Sequence, residues 1–151
     1  MPQHKPSGDI KLFLRQEISA PVKQVFDAWT TPESIKGWFA PPDTETPLAE
    51  VDLRVGGKYR IGFKEKGKDI VRVVSGVYRE IRVPHRLVFT WCWEDDPAKH
   101  ETVVTIELTE KGSKTELHLT HAHFDNEETR DHHNAGWIGC VNNLMRNLQP
   151  K

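Results

Sequence analysis

Cysteine is scarce in this chain, with two among 151 residues. Cys92 falls inside an apolar strand pattern and Cys140 inside a helical one. Their spacing fits neither a disulfide framework nor a zinc knuckle, so both are expected as reduced, packed thiols. An excess of charge of one sign is missing as well. Lys plus Arg number 21 against 22 for Asp plus Glu, a formal net charge of -1. Such a chain has no overall field to attract a phosphate backbone or an anionic lipid surface, so nucleic acid and membrane are not expected partners. No stretch approaches the roughly 20 apolar residues of a membrane span. The first residues, Met-Pro-Gln-His-Lys-Pro, lack the apolar run of a signal peptide, and the expected location is the cytoplasm. Internal repeats and low-complexity tracts are absent, which leaves one domain over residues 1–151 with 1–8 as an unstructured tail.

What is present is a sequence of short periodic runs. Ile10, Leu12, Leu14 and Ile18 share one parity while Lys11, Arg15 and Glu17 take the other, the period of a half-buried strand. After Ala20-Pro21 the period changes: Val22, Val25, Phe26 and Trp29 recur at helical spacing. Thr31-Pro32-Glu33 restarts a second short helix toward Trp38, with Thr31 able to cap and Pro32 suited to the first helical position. The three prolines between Phe39 and Pro47 predict a loop there. Six alternating apolar runs follow, at 48–53, 59–63, 70–81, 87–93, 102–108 and 115–123, separated by turns too short for a crossover helix. They predict an antiparallel meander. From about Glu127 to Leu148 helical spacing returns, with Trp137, Val141, Leu144 and Leu148 in one stripe. The class is α+β: a curved antiparallel sheet of about seven strands, whose inner face only the long last helix is large enough to cover.

Four strings carry a family resemblance. They are Ala20-Pro21-Val22-Lys23-Gln24-Val25-Phe26-Asp27-Ala28-Trp29-Thr30 running on to Trp38; Gly56-Gly57-Lys58-Tyr59; Gly76 to Ile81 with Arg86 to Trp91; and Leu119 to Phe124 with His133-Asn134-Ala135-Gly136-Trp137. In this order and spacing the chain resembles the START-like, or SRPBCC, superfamily. Within it the chain is similar to bacterial homologues of the C-terminal domain of the heat shock protein 90 ATPase activator. The resemblance implies a helix-grip fold and places the histidine, glycine and tryptophan group near a pocket mouth. It does not supply a chemistry, because one architecture hosts many functions.

Five of the eight histidines lie between His118 and His133. On a strand, His121 and His123 share the face of Leu117 and Leu119 while His118 points away. His121 and His123 are therefore expected to look inward, with His133 one helical turn before Trp137. Imidazoles two residues apart on a strand can converge on a metal, yet there is no H-E-x-x-H helix and no cysteine pair, so no metal and no cofactor is expected. Gly56-Gly57 lacks the spacing of a phosphate loop and reads as a turn or bulge, and no G-x-S-x-G elbow occurs. Glu50, Asp52, Glu107 and Glu116 alternate with apolar residues and read as solvent-facing.

Five tryptophans are many for this length, and an aromatic body with one N–H suits both core and pocket. Trp91 and Trp93 share a face with Leu87 and Phe89, the expected inner face of the sheet. The expected ligand-binding set is Trp29, Trp38, Phe89 and Trp91, joined by Leu117 and Leu119 on the facing strand and by His121, His133 and Trp137. No catalytic residue is assigned. The leading expectation is a binder of a small apolar or amphipathic molecule in an internal pocket, monomeric or homodimeric. The resemblance alone adds a protein-binding module of co-chaperone type with a chaperone as partner. A third reading is an enzyme using His121 or His133 as acid or base.

Overall fold

The computed structural model describes residues 10–148; the expected tail at 1–8 lies outside them. The element order is β1 (Lys11–Ile18), α1 (Val22–Thr30), α2 (Pro32–Trp38), β2 (Thr44–Val51), β3 (Lys58–Glu65), β4 (Val71–Arg82), β5 (Arg86–Trp93), β6 (Thr102–Lys111), β7 (Lys114–Ala122) and α3 (Glu127–Leu148). The seven strands form one antiparallel sheet in the order β1-β7-β6-β5-β4-β3-β2. The chain therefore runs as a meander from β2 to β7, and β1 closes the far side by pairing with β7. This is the helix-grip arrangement.

Register puts the inward residues into rows across the strands. Leu14, Leu119 and Ile106 are successive partners, and so are Leu12, His121, Val104 and Phe89. Period 2 then delivers the same parity from each strand to the concave side. On α1, Val22, Val25, Phe26 and Trp29 are all buried against that face. The last helix packs against β1 and α2, burying Trp137, Cys140, Val141 and Leu144. Among the described residues no helix is long and apolar enough to cross a membrane.

Two local expectations change. The proline-rich segment is a loop only to Asp43, because β2 begins at Thr44 and carries Pro47 within it. Strand β2 is the outermost strand, and its register with β3 shifts between Glu45 and Leu48, so Pro47 sits where no ladder donor is required. Thr31 precedes α2 as expected but makes no side-chain capping bond; Pro32 and Glu33 begin the helix without it. Gly56-Gly57 is a turn, as expected. Gly56 has φ 85°, and a Cβ on Gly57 would lie 2.0 Å from the Asp52 carbonyl oxygen.

Candidate functional site

One end of the concave face is not covered by the helices. There a cleft of about 1150 Å³, open to solvent, lies between the β3–β4 hairpin, the ends of β5, the 39–44 segment and the first half of α3. Its apolar floor is aromatic: Phe39, Phe63, Trp91, Trp93 and Trp137. Ring centroids of Phe39 stand 5.8 Å from Phe63, 6.2 Å from Trp91 and 5.2 Å from Trp137, within range of attractive ring contact. The rim carries both signs. Lys68 pairs with Glu65 at 2.8 Å, and Arg72 makes two bonds to Asp95, at 2.8 and 3.2 Å, while lying 4.4 Å over the Trp93 ring.

The cleft wall at 39–43 is held by specific contacts with α3. Asn143 donates to the carbonyls of Trp38 and Ala40, and the Thr46 hydroxyl donates to the Phe39 carbonyl. Gly139 permits the close approach, since a Cβ there would lie 2.6 Å from Pro42 Cδ. One helical turn earlier Gly136 faces open space in the cleft.

Beneath the floor, two histidines are tied to two indoles. Trp137 Nε1 donates to His121 Nδ1 at 3.0 Å. The other ring nitrogen, His121 Nε2, lies 2.6 Å from Thr102 Oγ1, whose hydroxyl donates to the Trp91 carbonyl at 3.1 Å. Since Nδ1 and Thr102 Oγ1 both accept, the proton of His121 sits on Nε2. His133 uses the opposite tautomer. It accepts from Trp93 Nε1 at Nε2, 3.0 Å away, and donates from Nδ1 to the Thr129 carbonyl at 2.8 Å. Both rings are thus held neutral, and neither has a lone pair free for a proton or a metal. Burial lowers the pKa of His121 well below its ordinary value, with His133 nearby adding to it. Burial also lowers that of His133, against the opposing bond to Thr129 and with smaller help from Arg72 and His132. No group of three or more His, Cys, Asp or Glu side chains among the described residues is placed to hold a metal ion.

Of the nine residues expected to bind a ligand, Trp91, His133 and Trp137 line the cleft. Trp29 and Trp38 lie fully inside, with Trp29 5.9 Å from Trp137 and the Trp38 indole donating to the Ala28 carbonyl. His121 is completely buried behind Trp137. Phe89, Leu117 and Leu119 are core residues that do not line the cleft. The expectation for His123 is overturned: β7 ends at Ala122, and His123 is exposed with φ 75°, because the chain must swing away there to bury Phe124. Glu116 is also less open than its alternation suggested, since Arg15, Lys111 and His118 cover it. Sequence reasoning missed Phe39, Phe63 and Arg72 as cleft residues. Phe63 shares the parity of Tyr59 and Ile61, all buried, so its signal was present. Phe39 stood outside any periodic run.

The sheet and the last helix define a START-like domain. More narrowly, the chain belongs to the family described as Activator of Hsp90 ATPase homolog 1-like protein, which it matches over residues 19–149. Several solved structures share the fold. A protein of Chromobacterium violaceum is 21% identical with a TM-score of 0.84, covering 94% of this chain and 99% of its own. CalU16 of Micromonospora echinospora is 30% identical with a TM-score of 0.68, covering 93% and 76%. An HSP90 activator of Plasmodium falciparum is 25% identical with a TM-score of 0.70, covering 89% and 92%. No match was found among curated proteins.

Proposed function

We propose that the chain is a binding module of co-chaperone type that docks on a heat shock protein 90 ATPase in the cytoplasm. The observation that carries this reading is the family match over residues 19–149, supported by the similarity to the HSP90 activator of Plasmodium falciparum. The cleft suits a protein segment, because it is open and presents an aromatic floor under a rim of both charge signs, the composition of an interface centre and its edge. The test is the ATP turnover of the chaperone from the same cell with and without the purified chain, together with a pull-down. Stimulated or suppressed turnover with co-precipitation is expected. Unchanged turnover with no chaperone recovered removes the reading.

A second reading is favoured by the size of the cleft. At about 1150 Å³ it lies just above the range of small-molecule sites, roughly 300 to 1,000 Å³, with room for such a ligand. A small apolar or amphipathic ligand would rest on the rings, and at 100 times its Kd would add about 2.7 kcal/mol of stability. Thermal shift against a panel of apolar compounds tests it, with Gly136→Leu as the variant that fills the cleft. Acid–base catalysis takes no support from the site. Either histidine would have to release an indole N–H before it could accept a proton.

A further inference from the structure

The indole N–H groups are unequally served. Those of Trp38, Trp93 and Trp137 each reach an acceptor at 2.9 to 3.0 Å. Those of Trp29 and Trp91 are shielded from solvent and reach none among the described residues. A buried donor with no acceptor keeps its full desolvation penalty, and native structures seldom leave one without a reason. Trp29 borders neither the cleft nor the smaller hollow beside it. Trp91 is 5% exposed and lines two. One is the cleft; the other is a smaller adjoining hollow of about 240 Å³, and Trp93 and His133 border both with it.

We propose that the cleft selects an uncharged carbonyl-type oxygen carried on a flat apolar body, and that the indole N–H of Trp91 is the group that reads it. This deepens the small-ligand reading and rests on it. The nearby acceptors cannot serve Trp91, because His121 Nδ1 and His133 Nε2 are already taken by other indoles. No described residue is left to accept from Trp91, so an acceptor carried by an occupant would be its partner. The charges around Trp91 settle its character. In the smaller hollow the charged side chains are Asp96 and Asp125, beside His100, with no Lys or Arg. In the cleft, Arg72 is committed to Asp95 through two bonds and Lys68 to Glu65, while Lys66 stands exposed on the rim. A carboxylate at Trp91 would lose its water against carboxylates, with only the solvent-exposed Lys66 of the cleft rim left uncommitted to offset that loss. A ketone, amide or ester oxygen carries no such cost, while its ring system lies on the aromatic floor. Because the N–H is covered in the empty protein, the occupant has to displace the side chains over it, so binding must alter the surroundings of Trp91 itself.

The test uses three probes with one ring system: ethylnaphthalene, acetylnaphthalene and naphthoate. Affinities come from calorimetry, and the five indole N–H signals are followed in a proton–nitrogen correlation spectrum, with that of Trp91 identified by its loss in Trp91→Phe. Acetylnaphthalene is expected to bind about tenfold tighter than ethylnaphthalene, the worth of one recovered hydrogen bond. It should shift the Trp91 signal, and the preference should vanish in Trp91→Phe. Equal affinity for ketone and hydrocarbon, or a Trp91 signal that stays still at saturation, overturns the proposal while leaving the ligand reading intact. Naphthoate binding as tightly as the ketone overturns the requirement for an uncharged acceptor. If none of the three binds, the ligand reading itself fails and the proposal with it. Should Trp91→Phe not fold, sequence-specific assignment of the wild-type spectrum identifies the Trp91 signal, and its response to acetylnaphthalene decides the matter.

Discussion

The interior beneath the cleft and the exposed surface of the sheet handle polar groups in opposite ways. Inside, His121 and His133 are matched one to one with indoles, a hydroxyl and a carbonyl, all uncharged. Outside, arginines meet carboxylates in solvent, as in Arg60 with Glu94 and Arg79 with Glu101. Water can replace any partner lost outside, but nothing replaces one lost inside. Function follows the same division. The histidines at the cleft have no lone pair left to accept a proton.

The largest effect should come from breaking the inner network. His121→Ala removes the acceptor of Trp137 and the partner of Thr102, and it opens a void at a residue with no exposure. Cavity and stranded-donor terms together predict a loss of about 3–5 kcal/mol in urea unfolding. A loss below about 1 kcal/mol would mean that the interior relaxes as easily as the surface does.

How much of this the residues alone revealed depends on their range of interaction. The inward parity of Trp91 and Trp93, the stripe of α1 and the last helix all follow from local period, and the structure has them so. The cleft itself was harder to foresee. It exists because the 39–43 segment stands against α3, and Gly139 and Asn143 secure that contact across about a hundred residues. No periodicity encodes such an approach. The pairing of His121 with Trp137 is likewise a contact between strand and helix, so sequence could name both residues but not bond them. His123 illustrates the reverse failure, in which parity was extended one residue past the end of the strand.

Acid should find the inner network next. The folded-state pKa values of His121 and His133 are lowered, so between those values and the ordinary histidine value of about 6.5 the unfolded chain holds more protons than the folded one. Stability then rises with pH across that window and is lost as pH falls below about 6.5. Each histidine contributes a slope of at most about 1.4 kcal/mol per pH unit. Unfolding free energies measured from pH 7.5 downward should show this fall, and His133→Gln should reduce the slope. A flat profile between neutrality and pH 5 would place charge where the bonds require neutral rings.

Two glycines three positions apart on α3 sharpen the contrast on a smaller scale. Gly136 faces empty cleft, so Gly136→Ala should stabilise the helix by up to about 1 kcal/mol. In Gly139→Ala the same helical gain is opposed by the ring of Pro42, and the net change should be a loss with the 39–43 segment displaced. Thermal unfolding of the pair should therefore move in opposite directions. Movement in the same direction would mean that the cleft wall is not held where Gly139 meets Pro42.

The smallest effect should come from the best-formed exposed pair. Arg60 reaches Glu94 through two bonds of 2.9 Å and Glu50 at 3.5 Å, and Glu94 holds the guanidinium proton more firmly than usual. Judged by geometry alone, this two-bond pair is at least as well formed as the 3.0 Å indole–histidine bonds. Yet its side chains are 45% and 35% exposed, so each charge keeps most of its hydration when the pair is broken, and ordering two long side chains offsets what attraction remains. A double-mutant cycle of Arg60→Gln and Glu94→Gln should give a coupling that is barely resolvable at physiological salt and disappears at high salt. A coupling as large as the effect of His121→Ala, and insensitive to salt, would show that bond geometry rather than exposure sets the worth of a polar contact in this fold.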